Sequence, residues 1–247
     1  MSESKKLIFN KTLLGNELIG VTNGFLTLKE VKNSVVDILV RKYHYSHKPT
    51  KNRFFSMIVN NEDGFVQLGY GIRPTLKKHI CSLIEKGNFC EFDRMWLSDK
   101  LPKNSESQVI SLLLTYIKNK YPKIKFIITY ADGSVGNTGI IYKASNAIYI
   151  DKIKVDFYLL PTGERIHPVS MYHRHKSRAK NVLEKIYPGI IHIHNEFQYR
   201  YLYILNKGKR KKFQERNALL PVMRGRGSSD FPLHKRIEPE LTKGVKC

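Results

Sequence analysis

Residues 91–107, EFDRMWLSDKLPKNSES, and the run that follows at 108–133, QVISLLLTYIKNKYPKIKFIITYADG, decide how the chain folds. EFDRMWL reads as a strand and SDKLPKNS as a loop. Ser105 with Gln108 three residues later has the form of a capping box. Beyond it Val109, Leu112, Leu113, Tyr116 and Ile117 make one apolar stripe, as a helix with a single buried face requires, and Pro122 stops it. KFIITY at 125–130 is a continuous apolar run, the pattern of a buried strand, and it ends at Ala131-Asp132-Gly133. Helices alternating with strands in this way predict an α/β (α+β) chain with a mixed central sheet flanked by helices.

Upstream, residues 28–43 place Val31, Val35, Ile38 and Leu39 at helical spacing, which predicts an amphipathic helix running into His44-Tyr45-Ser46-His47-Lys48-Pro49. FFSMIV at 54–59 and FVQLGYGI at 65–72 are joined by NNEDG, which predicts a hairpin. A short helix is expected over 76–85 and another over 138–146, with further strands over 147–150 and 155–160. The histidine pairs His173/His175 and His192/His194 alternate, so each is expected to share one face of a strand, with no third metal ligand placed by spacing. Residues 206–247 are rich in Gly, Pro, Lys and Arg and read as a basic C-terminal extension with little core, leaving 1–205 as the folded domain.

The chain has 247 residues, and its 43 Lys+Arg against 21 Asp+Glu leave a formal net charge of +22. Hydrophobic residues at 41% exclude wholesale disorder. No stretch reaches the roughly 20 apolar residues of a membrane span, and the N-terminus lacks a signal-peptide pattern. Three cysteines are too few and too scattered for a disulfide framework. These features predict a soluble, cytoplasmic, basic protein whose partner is a polyanion, nucleic acid before membrane. KGKRKK at 207–212, with Lys209, Arg210, Lys211 and Lys212, and the later Arg224 and Arg226 are expected to form phosphate-contacting loops.

Two strand ends concentrate the polar residues. One carries Glu91, Asp93, Arg94 and Trp96 and leads into Lys103, Asn104, Ser105 and Ser107 at a helix N-terminus; the other carries Tyr130 and Asp132 and leads to Tyr142. In an open sheet ligands favour the crevice beyond strand C-termini, and a helix N-terminus offers free N–H groups to a pyrophosphate. Each residue also has a structural reading. Asp132 before Gly133 suits a turn, Tyr142 and Trp96 suit core packing, and Arg94 can pair with Glu91 or Asp93.

The order of strand, phosphate-facing loop, long helix, apolar strand and Tyr-bearing short helix resembles the core of the GNAT acyltransferases. In those enzymes the loop and helix N-terminus hold the pyrophosphate of acyl-CoA, and the Tyr protonates the departing thiolate. The usual Arg/Gln-x-x-Gly-x-Gly/Ala loop is replaced here by Pro102–Ser107, PKNSES, which argues against ordinary acetyl-CoA use. His44-Tyr45-Ser46, the 91–107 segment and YADG-x-x-GNTGIIYKASN at 130–146 resemble the Mom family of phage DNA-modification proteins. The resemblance covers roughly residues 25–205. It implies conversion of adenine in DNA to an N6-acyl or methylcarbamoyl-type derivative that shields phage DNA from host restriction, and functional roles for His44, Tyr45, Arg94, Ser107, Asp132 and Tyr142.

The exocyclic amine of adenine is a poor nucleophile, so acylating it needs an activated donor such as acetyl-CoA or another acyl-CoA, a proton acceptor and help for the leaving group. Asp132 is the candidate acceptor, Tyr142 the general acid and Arg94 the oxyanion stabiliser or phosphate clamp. His44 and Tyr45 can contact substrate or, with Tyr142, ligate iron. The base would be flipped from a duplex or taken from single-stranded DNA, with Trp96 available for stacking. The alternatives are an ordinary GNAT acetyltransferase acting on a protein, tRNA or small amine, and a non-catalytic nucleic-acid-binding protein.

Overall fold

The computed structural model describes residues 7–11, 17–21, 26–71, 80 and 83–216. The chain divides into two compact units, one of Met1–Tyr130, Gly139–Ile150 and Tyr201–Cys247, the other of Ala131–Thr138 and Asp151–Arg200. The α/β class and the mixed multistranded sheet expected from the sequence are those observed.

In the first unit β1 (Leu7–Lys11), β2 (Glu17–Val21), β3 (Thr27–Val31), β4 (Arg53–Val59), β5 (Gly64–Tyr70) and β6 (Phe89–Leu97) pair antiparallel in chain order. The next strand, β7 (Phe126–Asp132), pairs parallel to β6, from Phe89↔Phe126 to Phe92↔Thr129. A parallel pair needs a crossover, and α2 (Ser105–Lys120) supplies it after α1 (Asn33–Tyr43) earlier in the chain. All five residues of the expected α2 stripe are at most 1% exposed, each apolar side chain so buried contributing about 1.5–3 kcal/mol of transfer free energy. The Tyr116 hydroxyl is anchored by Glu30 and by Lys120 Nζ.

The start of α2 differs from the capping box. Asn104 occupies the cap position with φ 68°, and no side chain caps the helix. Ser105 Oγ instead donates to the Pro102 carbonyl at 2.6 Å, and Ser107 Oγ to that of Asn104 at 2.9 Å. The helix expected over 28–43 is corrected at its beginning, since residues 28–31 lie in β3, paired with β4 from Leu28↔Val59 to Val31↔Ser56. Because α1 starts at Asn33, the helical phase shifts: Val36, Leu39 and Val40 pack with Phe65, while Val35 and Ile38 are 38% and 65% exposed. Asp37, on the buried side, is satisfied by Arg53 at 2.5 Å and by Gln67 Nε2 at 3.0 Å.

The 54–72 hairpin is β4–β5. The helix expected over 76–85 falls largely outside the described residues. After β7 come a 3-10 turn (Gly133–Val135) and α3 (Ile140–Ala144). The two strands expected over 147–160 are one, β8 (Ile148–Leu159), in which the polar residues Asp151, Lys152 and Lys154 continue the pleat instead of breaking it. The second unit holds most of β8, β9 (Arg165–Ile166), α4 (Pro168–His175), α5 (Lys180–Ile186) and most of β10 (Ile191–Ile204). Tyr158, Leu160, Ile166, Met171, Leu183 and Ile190 form its core. His173 and His175 lie on helix α4, which corrects their strand assignment. The last described element is α6 (Lys207–Arg216), whose Phe213 is 2% exposed and packs with Phe126, Ile128, Leu202 and Ile204.

Among the described residues no helix is long and apolar enough to cross a membrane.

Candidate active site

The β5–β6 ladder sets Gln67 opposite Arg94 but Leu68 opposite Phe92, so Asp93 is an extra residue at a β-bulge. Bulges re-aim side chains, and two consecutive charged residues cannot both face solvent from a regular pleated strand. The parallel ladder to β7 ends at the same level, at Phe92↔Thr129. There the Thr129 hydroxyl donates to the Phe92 carbonyl at 3.0 Å. Its oxygen is also the hydrogen-bond partner of the Tyr142 hydroxyl. Tyr142, the buried residue of α3, stands edge-on to Phe92 at 6.1 Å and packs against Tyr201 at 5.5 Å. Gly139 makes the entry to α3 possible: its φ is +76°, and a Cβ there would meet the Tyr201 ring at 2.3 Å.

Electrostatics join this group to the segment after α1. Asp93 is pushed up to about 7, first by burial and then by the Glu91 charge, with Arg94 and the Thr50 hydroxyl opposing. Burial raises the Tyr142 phenol, Tyr45 and Asp93 add to the effect, and Thr129 and Arg94 oppose it. His44, 5% exposed, is held down to about 4 by burial and by the charges of Arg94 and His47. The Ser46 N–H donates to His44 Nδ1 at 3.1 Å, so Nδ1 accepts and the neutral ring carries its proton on Nε2. The Tyr45 ring, 56% exposed, lies against His44 with centroids 4.3 Å apart. Arg94 donates to the carbonyls of Lys48 at 3.3 Å and Asp93 at 2.8 Å. It makes no salt bridge to Glu91 or Asp93 among the described residues. His44, Tyr45, Arg94 and Tyr142 thus form one electrostatically linked group, which Asp93 joins through Arg94 and Tyr142. The adjacent Cys90 is buried with its thiol pushed well above the usual range, which removes it as a nucleophile.

Asp132 belongs to the second unit and serves as a turn residue: its Oδ1 accepts from the Ser134 N–H at 3.1 Å and the Ser134 hydroxyl at 2.5 Å, and its Oδ2 lies 4.0 Å from Arg165. Trp96 is stacked on Tyr43 at 4.3 Å and packs beside Phe65. Lys103 and Asn104 are exposed and Ser105 is buried at the start of α2, whose uncapped N–H groups suit an anionic ligand. Lys209, Arg210 and Lys211 lie on a helix and not in a loop. Lys209 Nζ sits 5.5 Å from the Phe126 ring centre, Arg210 donates to the Asn146 carbonyl at 3.2 Å, and Lys211 is exposed. The Lys212 side chain, Arg224 and Arg226 lie outside the described residues.

The donor set at His44 gives no support to iron. Its Nδ1 already faces the Ser46 amide, and no second His, Cys or carboxylate joins it in a group of three metal-type ligands among the described residues.

A model of the Mom protein family matches residues 25–221. The methylcarbamoylase Mom of Escherichia phage Mu is 28% identical over 199 residues, 79% of this chain and 82% of the relative. Among solved structures, the ribosomal-protein-S5-alanine acetyltransferase of Vibrio fischeri overlaps 74% of this chain and 94% of its own at 8% identity and a TM-score of 0.42. Arabidopsis thaliana NAA60 in complex with acetyl-CoA overlaps 72% and 99%, also at 8% identity, with a TM-score of 0.41. Overlaps this loose carry nothing about chemistry.

Proposed function

This chain belongs to the Mom protein family, and on that footing we propose that it modifies adenine in DNA, attaching an acyl- or methylcarbamoyl-type group to the exocyclic amine and so protecting phage DNA from host restriction in the host cytoplasm. The observation that carries the reading is the group of buried His44 and Tyr142 with half-buried Asp93 and Arg94 at the end of the β6–β7 ladder, in a chain whose +22 charge suits a polyanion. The methylcarbamoylase named in phage Mu supports the class of group transferred.

Asp93 replaces Asp132 as the proton acceptor. Near neutral pH a carboxyl raised to about 7 exchanges protons readily, whereas the Asp132 carboxylate is committed to Ser134 and Arg165. The Arg94 guanidinium, free of a competing salt bridge among the described residues, stabilises the oxygen on which negative charge develops. Tyr142, kept protonated by burial, donates its Oη proton to the leaving group. His44 Nε2–H is a fixed neutral donor for orienting a base, and the exposed Tyr45 ring beside it offers a stacking surface. An acyl-CoA, when bound, supplies an activated carbonyl and a thiolate leaving group; the α2 N-terminus with Lys103, Asn104 and Ser107 would hold its phosphates. Asp93 would take the proton released by the amine, and Tyr142 would supply one to whatever group departs.

The target base has to leave the duplex or be single-stranded, and the basic surface tracks the phosphates, making affinity strongly salt-dependent. Mass spectrometry of nucleosides digested from the DNA of cells expressing the protein is expected to show a modified adenine. An unmodified profile alongside folded, abundant protein would overturn the assignment.

A further inference from the structure

We propose that the second unit carries a divalent transition-metal site formed by Asp156 of β8 and His192 and His194 of β10. Among the described residues this is a group in which three metal-type ligand atoms lie within 4.8 Å of one another. His192 Nε2 is 3.0 Å from Asp156 Oδ2, and the two imidazole centres are 3.7 Å apart with planes inclined by 49°. Ligand atoms bound at about 2.0–2.2 Å to one small cation stand about 3 to 3.5 Å apart around it, so the present hydrogen bond already has the spacing of two adjacent ligands. The chemistry of the set is two imidazole nitrogens and one carboxylate oxygen, which suits Zn²⁺ and its neighbours and not Ca²⁺ or Mg²⁺.

The strands explain why these atoms converge. His192 and His194 are two residues apart on β10 and so share a face, while Asp156 shares a face of β8 with Tyr158. Tyr158 is 1% exposed, stacks on His192 at 4.1 Å and 23°, and donates its hydroxyl to the Arg178 carbonyl at 2.6 Å. That anchored ring holds the His192 imidazole in place before any ion arrives, the support a metal ligand needs from its surroundings. His194 is exposed, which leaves the cation open to water on that side. A bound ion would join the facing residues of β8 and β10, a clip between segments distant in sequence. The site shares no residue with the reaction centre proposed above, so it stands or falls without it.

The test uses the full chain, purified without a histidine tag, stripped with a chelator and titrated with Zn²⁺ and, separately, with Co²⁺. The expected result is one tight equivalent of Zn²⁺, d–d absorption from Co²⁺, and a Zn²⁺-dependent rise in melting temperature. His194→Ala, which removes an exposed side chain, and Asp156→Asn should each weaken Zn²⁺ binding at least tenfold and abolish the thermal shift. His44→Ala should bind as the unaltered chain does. Absence of a tight equivalent, equal binding by His194→Ala and Asp156→Asn with their circular dichroism intact, or loss of the tight equivalent in His44→Ala would each overturn the proposal.

Discussion

The two units each gather histidine and aspartate, and they treat them in opposite ways. In the first unit His44 is buried and Asp93 half-buried, the histidine held down to about 4 and the carboxyl pushed up to about 7, mainly by loss of solvent in both cases. In the second, His192 and Asp156 meet at 3.0 Å with the Asp156 side chain 45% exposed and His194 turned outward. Burial changes the readiness of a group to hold a proton, while exposure leaves its lone pairs available to an ion. The first arrangement therefore suits proton transfer and the second suits ligation.

The comparison breaks most visibly at Tyr142. Tyr142→Phe keeps the packing against Phe92 and Tyr201 but removes the acid, and is expected to lower DNA modification about 10²–10⁴-fold. Asp93→Asn is expected to cost about 100-fold and to alter the pH profile. Asp93 accepts a proton only when ionised, so the unaltered rate should rise through pH of about 7 and level off above it. The Asn variant should show no such limb in a rate-against-pH series.

Stability gives the next test. The unfolded His44 titrates at the ordinary 6.5 and the folded one at about 4, so between those values the unfolded chain binds more protons and stability falls as pH falls. The loss should reach about 2–3 kcal/mol by pH 4. His44→Gln should remove that acid slope in denaturant titrations at pH 7 and pH 4.5. Gly69→Ala would press a Cβ to 2.3 Å from Asp93 Oδ2 and 2.8 Å from the Asn52 carbonyl, which should cost about 1–3 kcal/mol and reduce activity with it. The smallest effect is expected at Asp132. Asp132→Ala removes a turn-forming side chain, so it should cost about 1 kcal/mol and leave the rate of the folded protein within about threefold, measured by the same modification assay.

Much of this organisation was readable in the chain. The α2 stripe carries a helical period set by one buried face, while β4, β5 and β7 are continuous apolar runs bounded by turn residues and buried on both faces. Where the period changes inside a continuous run, as from β3 to α1, the helix phase counted from Val31 points to Val35 and Ile38 and misses Val36 and Val40. Arg94, Tyr142, His44 and Tyr45 were legible through motif resemblance. Asp93 was not, because its raised proton affinity comes from burial contributed by residues far along the chain; the only local sign was a second charged residue beside Arg94 in a strand. Asp156 stands 36 residues from His192, and no spacing rule links a residue of β8 to its neighbour on β10. The turn role of Asp132 was one of two readings its Gly133 neighbour allowed.

The reaction centre is tested most directly by the modified-adenine content of DNA from cells expressing the unaltered protein, Asp93→Asn or Tyr142→Phe at matched levels of folded protein, read by nucleoside mass spectrometry. The account predicts a modified adenine with the unaltered chain and at least a hundredfold less with either variant. Full modification by both variants would contradict it.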